Sequence, residues 1–523
     1  MLKPAIVFAL LLGAGAALSA QPLPMRVWQF QDYDMDHIKR LVNMAAEQNV
    51  NRVQLSHNIV MDVEEPLGNP QLVKDINTIC GWAHAKRIKV DVWTHELNGI
   101  PKEFMQEGRV NLDDPEVWKF VSEKYSRFFK LCPEVDGLVL TMQETAQSIY
   151  HDSKVVSSVP PEKRVAKLID DLAVVCGRLK KDFFVRTFSY EPSELKYILG
   201  GLAECKSDVI VMSKCVPHDW QPFYPYNPAI GNVGGKRQIV EFDLGHEFTG
   251  LSNIPYICID YVKRHLDYDI SKGAVGAVLR VERLKWRATD TPNQAVIDVA
   301  TKLLSHPTAD PRELYREWLS KRYPKEAVPH LYSAFMRTPE IVEKGLFVLG
   351  FWVTNHSKLP SYDYARKSLY GRSTAKWDPS AKPTEQMLHN PTSETISKIS
   401  AEKDDALRLV DASIADIEKA KPYLKSSDYD HLIDQFRRER AMVVVWKAAM
   451  EVLFGIEVVK STKSKSDHDS LARAADRLEA AANAHKDHLI AMAADYETPN
   501  RTENYDQALT LVELARKTLP ETE

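Results

Sequence analysis

The chain predicts an α/β architecture, a closed (β/α)8 TIM barrel followed by an all-helical C-terminal domain. Three observations predict it. Eight strand-like apolar runs alternate with amphipathic helical runs between residues 25 and 282. Eight such units in about 260 residues match the typical size of this barrel. Past about residue 295 the strand signals fade, and alanine- and leucine-rich helical patterns take over.

The elements follow in order. Lys3 and the stretch AIVFALLLGAGAALSA read as a secretory signal over residues 1–20, with cleavage after Ala20. A secreted or periplasmic protein is therefore expected. The strand runs are MRVWQF (25–30), RVQLSH (52–57), IKVDVWTHE (88–96) and GLVLTMQE (137–144), then FFVRTFSY (183–190), VIVMSK (209–214), RQIVEFDLG (237–245) and GAVGAVLRVE (273–282). Between them lie stretches such as DHIKRLVNMAAEQN (36–49) and PPEKRVAKLIDDLAVVCGRLKK (160–181). Their apolar residues recur at three- and four-residue steps, the period of a helix with one buried face. An open doubly wound sheet is the alternative, but it would more often carry a glycine-rich phosphate turn after its first strand. WQFQDYDMDH follows here without a glycine, so no nucleotide or other cofactor is expected. Residues 21–295 are assigned to the barrel and 296–523 to the helical domain. The stretch rich in Ser, Pro, Lys and Tyr at 355–395 is expected to be a long ordered loop.

Composition narrows the class of partner. The formal net charge is −4 and 27% of residues are charged. That balance gives no case for nucleic acid or an acidic membrane surface. Six cysteines occur without a CxxC pair, which argues against a zinc cage and allows none to two disulfides. His57, His95, His218 and His246 lack the short helical spacing of zinc motifs, so hydrogen-bonding roles are expected and no metal.

Function in a barrel collects at the C-terminal ends of the strands. Three acids fall just past strand runs: Glu144, Asp219 and Glu247. Opposed carboxylates in one mouth are what glycoside hydrolysis needs. Arg186, Tyr190 and Lys214 fall at the same end, as do His95 and Glu241. Trp93 and Trp220, with Trp28 and Tyr224, could offer ring faces to the apolar side of a sugar. For each aromatic alone, core packing is the plainer reading.

These residues resemble glycoside hydrolase family 67, the α-glucuronidases. The family pattern Ile-Lys-Asn-Gly-Pro-x-Asp-Phe is matched by Lys214, Pro217, Asp219 and the aromatic Trp220. Its Glu-x-Gln-x-x-Gln-Glu-Tyr-x-Gly is matched by Glu241, Glu247, Phe248 and Gly250, with Asp243 and His246 replacing the glutamines. Arg186, Phe188 and Tyr190 fit its fifth strand, and Glu144 fits the acid of its fourth. The family's β-rich N-terminal domain has no counterpart before Met25, and Leu140 stands where the family has a lysine.

The resemblance implies an inverting, exo-acting hydrolase of an α-linked terminal uronic acid, glucuronic or 4-O-methylglucuronic acid, on a plant or algal polysaccharide fragment. Glu144 would be the general acid, kept protonated by burial. Asp219 and Glu247 would together activate the water, and Arg186 and Lys214 would face the sugar carboxylate. Two alternatives stay open: a glycosidase for a neutral or N-acetylated sugar, and a carbohydrate-binding barrel without catalysis. The expected partner is an oligosaccharide or polysaccharide, not a membrane, and a homodimer could form through the helical domain.

Overall fold

The computed structural model describes residues 21–492 and 503–520. The expected signal segment, 1–20, lies outside the described residues. Eight parallel strands close into a barrel: β1 (Met25–Phe30), β2 (Arg52–Leu55), β3 (Lys89–His95), β4 (Gly137–Thr141), β5 (Asp182–Arg186), β6 (Ile210–Lys214), β7 (Arg237–Asp243) and β8 (Gly276–Arg280). Each pairs with its neighbours in sequence, and β8 closes on β1 with Gly276 opposite Met25. All eight expected strand runs are barrel strands.

Strand side chains alternate between the barrel interior and the helical shell. Val27, Trp93, Val139, Phe184, Ile210, Met212, Ile239 and Val278 form an apolar plug inside, distinct from the larger outer core. Burying each such side chain contributes about 1.5–3 kcal/mol. Stepping two residues toward the strand N-termini reaches a charged layer in which Arg52 bridges Asp91 and Asp182. Burial pushes the Asp91 carboxyl up to about 7, against the pull of Arg52. Gly137 sits beside it because a Cβ there would lie 2.3 Å from Asp91 Oδ1. Stepping two residues the other way reaches Arg186, Lys214, Glu241 and Arg280, again buried. The same period of two that builds the plug thus brings these four to the mouth end of the barrel interior.

The helices between strands start where local chemistry satisfies their first amides. Asp34 caps the helix Met35–Glu47, accepting from the amides of Asp36 and His37. Asn69, Asp114 and Asp310 cap three others, each followed by a proline at the first helical position. The crossover from β6 to β7 (215–236) contains no helix. It is an irregular loop, and Asp219 lies on it. The helix Gln294–Ser305 packs on β1 and β8, and the indole of Trp28 donates to Thr301 Oγ1 at 2.9 Å. The barrel therefore runs through residue 305, and 295 falls in the first turn of its last helix.

Beyond it the chain is helical. The helix Ser426–Thr462 is its axis, with Val443, Trp446, Met450 and Phe454 all buried. It packs between Ser393–Ala420 and Lys465–Ala484. The expected long loop at 355–395 instead contains the helices Tyr362–Gly371 and Lys382–His389. Ser361 caps the first by accepting from the amide of Tyr364. The six cysteines are all buried and unpaired.

Candidate active site

A cavity of about 220 Å³ opens at the C-terminal ends of the strands. Glu144, Asp219 and Glu247 all line it, with Trp93, Arg186, Tyr190 and Lys214. The wall also carries Arg280, Arg283, His356 and Arg372. Five fixed cations thus face three carboxylates across one small space.

Glu247 is an anionic hub. Arg280 Nη2 donates to its Oε2 at 3.0 Å, and Arg283 Nη2 lies 2.9 Å from its Oε1. His356 Nδ1 lies 2.8 Å from that same oxygen. Burial alone would raise this carboxyl, but Arg283, His356 and Arg280 hold it well below the usual carboxylate range. Asp243, one turn back, accepts the Glu247 amide at 2.8 Å and fixes the loop. Burial lifts Asp243 itself to about 6, though Arg280 opposes it.

Asp219 is set in the same way. Lys214 Nζ donates to Oδ1 at 2.9 Å, and Arg372 Nε lies 3.8 Å from Oδ2. Burial opposes ionisation, yet the fixed cations Lys214 and Arg372 overcome it and depress the carboxyl strongly. The Asp219 amide donates to His218 Nδ1 at 2.6 Å, so that nitrogen carries no proton and the ring is neutral. Burial accordingly lowers His218 to about 4.

Glu144 differs from both. It is exposed at the mouth, and the Tyr190 hydroxyl donates to its Oε1 at 3.3 Å. The expectation that Glu144 is buried is thereby corrected: the side chain stands open to solvent. Its loop is held from below: Thr145 Oγ1 donates to the Glu96 carbonyl at 2.9 Å and to Asn98 Oδ1 at 2.8 Å. Glu96, fully buried, accepts the Ile149 amide at 3.1 Å. Glu144, His57 and His356 all line the cavity with left-handed backbones, at φ of 64°, 53° and 53°. Such conformations cost non-glycine residues about 1–2 kcal/mol each, and strain of this kind gathers at functional sites.

Some expected binding residues stand behind the wall. His95 turns to Asp62, its Nδ1 3.0 Å from the carboxylate, and does not reach the cavity. Glu241 is fully buried and grips Arg186, Nε to Oε2 at 2.8 Å and Nη2 to Oε1 at 3.2 Å. Trp220 lies beneath the cations, with Lys214 4.7 Å and Arg280 5.5 Å from its ring centre. Trp93 does line the cavity and stacks Arg186 at 4.7 Å. Trp28 belongs to the outer core, and the Tyr224 hydroxyl donates to the Arg372 carbonyl at 2.8 Å.

Arg283 and Arg372 carry no motif in the sequence, and Arg280 lies within the last strand run, GAVGAVLRVE. His356 stands at the head of the 355–395 stretch expected to be a loop. The helical region supplies it because Ser357 is pinned to the barrel. Ser357 Oγ donates to the Glu247 carbonyl at 2.9 Å and accepts from the Gly250 amide at 2.8 Å.

A solved structure aligns over most of this arrangement of barrel and helices. It is a GH138 enzyme targeting pectin rhamnogalacturonan II, with a TM-score of 0.66 over 95% of this chain and 84% of its own, at 11% identity. The chain shares the fold of that enzyme. A mutant of the Thermobaculum terrenum O-GlcNAc hydrolase aligns at a TM-score of 0.48 and 9% identity over 95% of both chains. CpGH84B aligns at 0.47 and 10% identity, over 94% of this chain and 77% of its own. No protein-family model and no curated protein matches the sequence.

Proposed function

We propose that the protein is an exported glycoside hydrolase that removes a terminal, α-linked uronic acid from a polysaccharide fragment. The observation that carries this reading is the pairing in one cavity of three carboxylates with a surplus of fixed cations. Carboxylates supply the acid and base of glycoside cleavage, and a cationic wall suits an anionic sugar. A cavity of about 220 Å³ holds little more than one sugar ring, which suits exo action. The neighbouring fold of an enzyme whose target is a pectin supports the same class. The resemblance to the α-glucuronidases supplies the uronic acid and the inverting course.

In this mechanism Glu144 protonates the leaving oxygen from the open side of the cavity. Its exposure there leaves room for the departing chain. Asp219 and Glu247, both ionised at neutral pH, orient the water on the opposite face. Direct displacement needs acid and base roughly 6.5–9.5 Å apart so that water fits between. Lys214 and Arg280 hold the two base carboxylates and stand against the sugar's negative charge. Export rests on the signal-like residues 1–20.

The test is product release from a panel of aldouronic and neutral oligosaccharides by wild type, Glu144→Gln and Asp219→Asn. Uronic acid released by wild type and lost in both variants supports the reading. Release of neutral sugars alone overturns the substrate, and release of nothing overturns the enzyme. Sequencing the amino terminus of secreted protein, expected at Gln21, checks export.

A further inference from the structure

We infer that Arg372, supplied by the helical domain, is the residue that selects the acidic group of the sugar. The inference rests on the uronic acid reading above. It starts from which cations of the cavity wall are already engaged. Glu241 takes the Nε–Nη2 edge of Arg186. Lys214 is bonded to Asp219, and Arg280 and Arg283 are bonded to the two oxygens of Glu247. Each barrel cation thus has a carboxylate within 3.2 Å. Arg372 does not: its nearest carboxylate oxygen, Asp219 Oδ2, is 3.8 Å away, outside hydrogen-bond reach. Its hydrogen bond goes from Nη1 to the neutral hydroxyl of Tyr364.

The guanidinium is also pre-organised. The Tyr224 hydroxyl holds its backbone carbonyl at 2.8 Å, and its own amide closes the helix Tyr362–Gly371 onto Ser368. Its Cζ lies 4.5 Å from the ring centre of Trp352. Lys376, four residues on, pairs with Glu191 at the β5 end and ties this strap to the barrel. A fixed arginine fork loses little freedom when it takes a carboxylate through paired hydrogen bonds. A floppy surface arginine would lose far more. About a quarter of the Arg372 side chain is exposed, and the residue lines the cavity.

The experiment measures kcat/KM on nitrophenyl glucuronides and galacturonides of both anomers, and on the matching glucosides and galactosides. Wild type, Arg372→Gln and Arg372→Lys are compared. The expected result is a fall in the uronide-to-neutral ratio of about 10- to 100-fold in the glutamine variant, the loss of one paired, charge-assisted contact. The fall should sit mainly in KM. The lysine variant keeps the charge without the fork and should fall between the two. It also serves if the glutamine variant fails to fold. An unchanged ratio in a folded variant, with wild type still cleaving uronides, overturns the role of Arg372 and leaves the proposed function standing. A wild type that cleaves only neutral glycosides overturns both.

Discussion

Replacing Glu247 by glutamine tests the site at its most charged point. The carboxylate receives Arg280 on one oxygen and Arg283 and His356 on the other, at 3.0, 2.9 and 2.8 Å. An amide keeps one acceptor and turns a donor toward one arginine. Two charge-assisted bonds are lost, and two buried guanidiniums share half of their former partner. Breaking a buried ion pair from one side costs about 3–5 kcal/mol. With an unfolding entropy of about 2.1 cal/mol/K per residue, a chain of this length should lose only about 3–5 °C in melting temperature. The catalytic effect should be larger. Loss of a positioned base typically costs 10²–10⁴-fold, so kcat should fall by about 10³. The cavity meanwhile gains one positive charge. An anionic substrate should gain on the order of 1 kcal/mol from it, so KM should hold or fall as much as about fivefold. Steady-state kinetics on an aldouronic substrate, with a melting curve on the same sample, reads all three numbers. A kcat within tenfold of wild type, or KM and kcat worsening together, would refute the placement of Glu247 among the water-activating groups.

Other outcomes follow from the same geometry. Glu144→Gln should cut turnover of natural linkages by about 10²–10⁴-fold yet spare aryl glycosides with good leaving groups, since only the former need protonation; equal losses would remove Glu144 from the acid role. Lys214→Met should move the acid limb of the pH–rate profile upward. Burial then acts on Asp219 with only the more distant Arg372 as a fixed cation to oppose it. The depressed Asp219 contributes stability above its unfolded pKa and loses it as pH falls through the folded one, so the variant should also lose stability at neutral pH. An unmoved limb, titrated from pH 3 to 8, would show that Asp219 is not the base. Gly137→Ala should lower the melting temperature, because its Cβ would meet Asp91 Oδ1 at 2.3 Å, while the specific activity of folded protein stays near wild type. A melting curve unchanged by that substitution would mean that the lower charged layer has slack.

The fold was legible to the extent that it is local. The short unbroken apolar runs of GLVLT and IVMSK mark strands buried on both faces, and caps such as Asn69–Pro70 mark where helices begin. Position at the ends of strand runs put Arg186 and Lys214 at the barrel mouth, and acids past strand ends pointed to Glu144, Asp219 and Glu247. It failed where a side chain's direction depends on a loop. His95 has the inward parity of Trp93, but Asp62 on the preceding crossover captures it. Residues 355–395 read as a loop because serine, proline and lysine dominate their composition. Packing against the barrel and the long helix Ser426–Thr462 folds much of the stretch into helices nonetheless.

By itself, then, the sequence determined a barrel with a helical appendage and a mouth rich in carboxylates. Periodicity and capping act over a few residues and are written in order along the chain. Tertiary structure alone decided which cation serves which acid, why Glu144 is exposed while Glu247 is buried, and that His356 and Arg372 complete the wall from more than one hundred residues beyond Glu247. Coulomb interaction and burial depend on distance in space. Two charges far apart in sequence acquire their partners, and their pKa values, only once the helical domain is docked on the barrel.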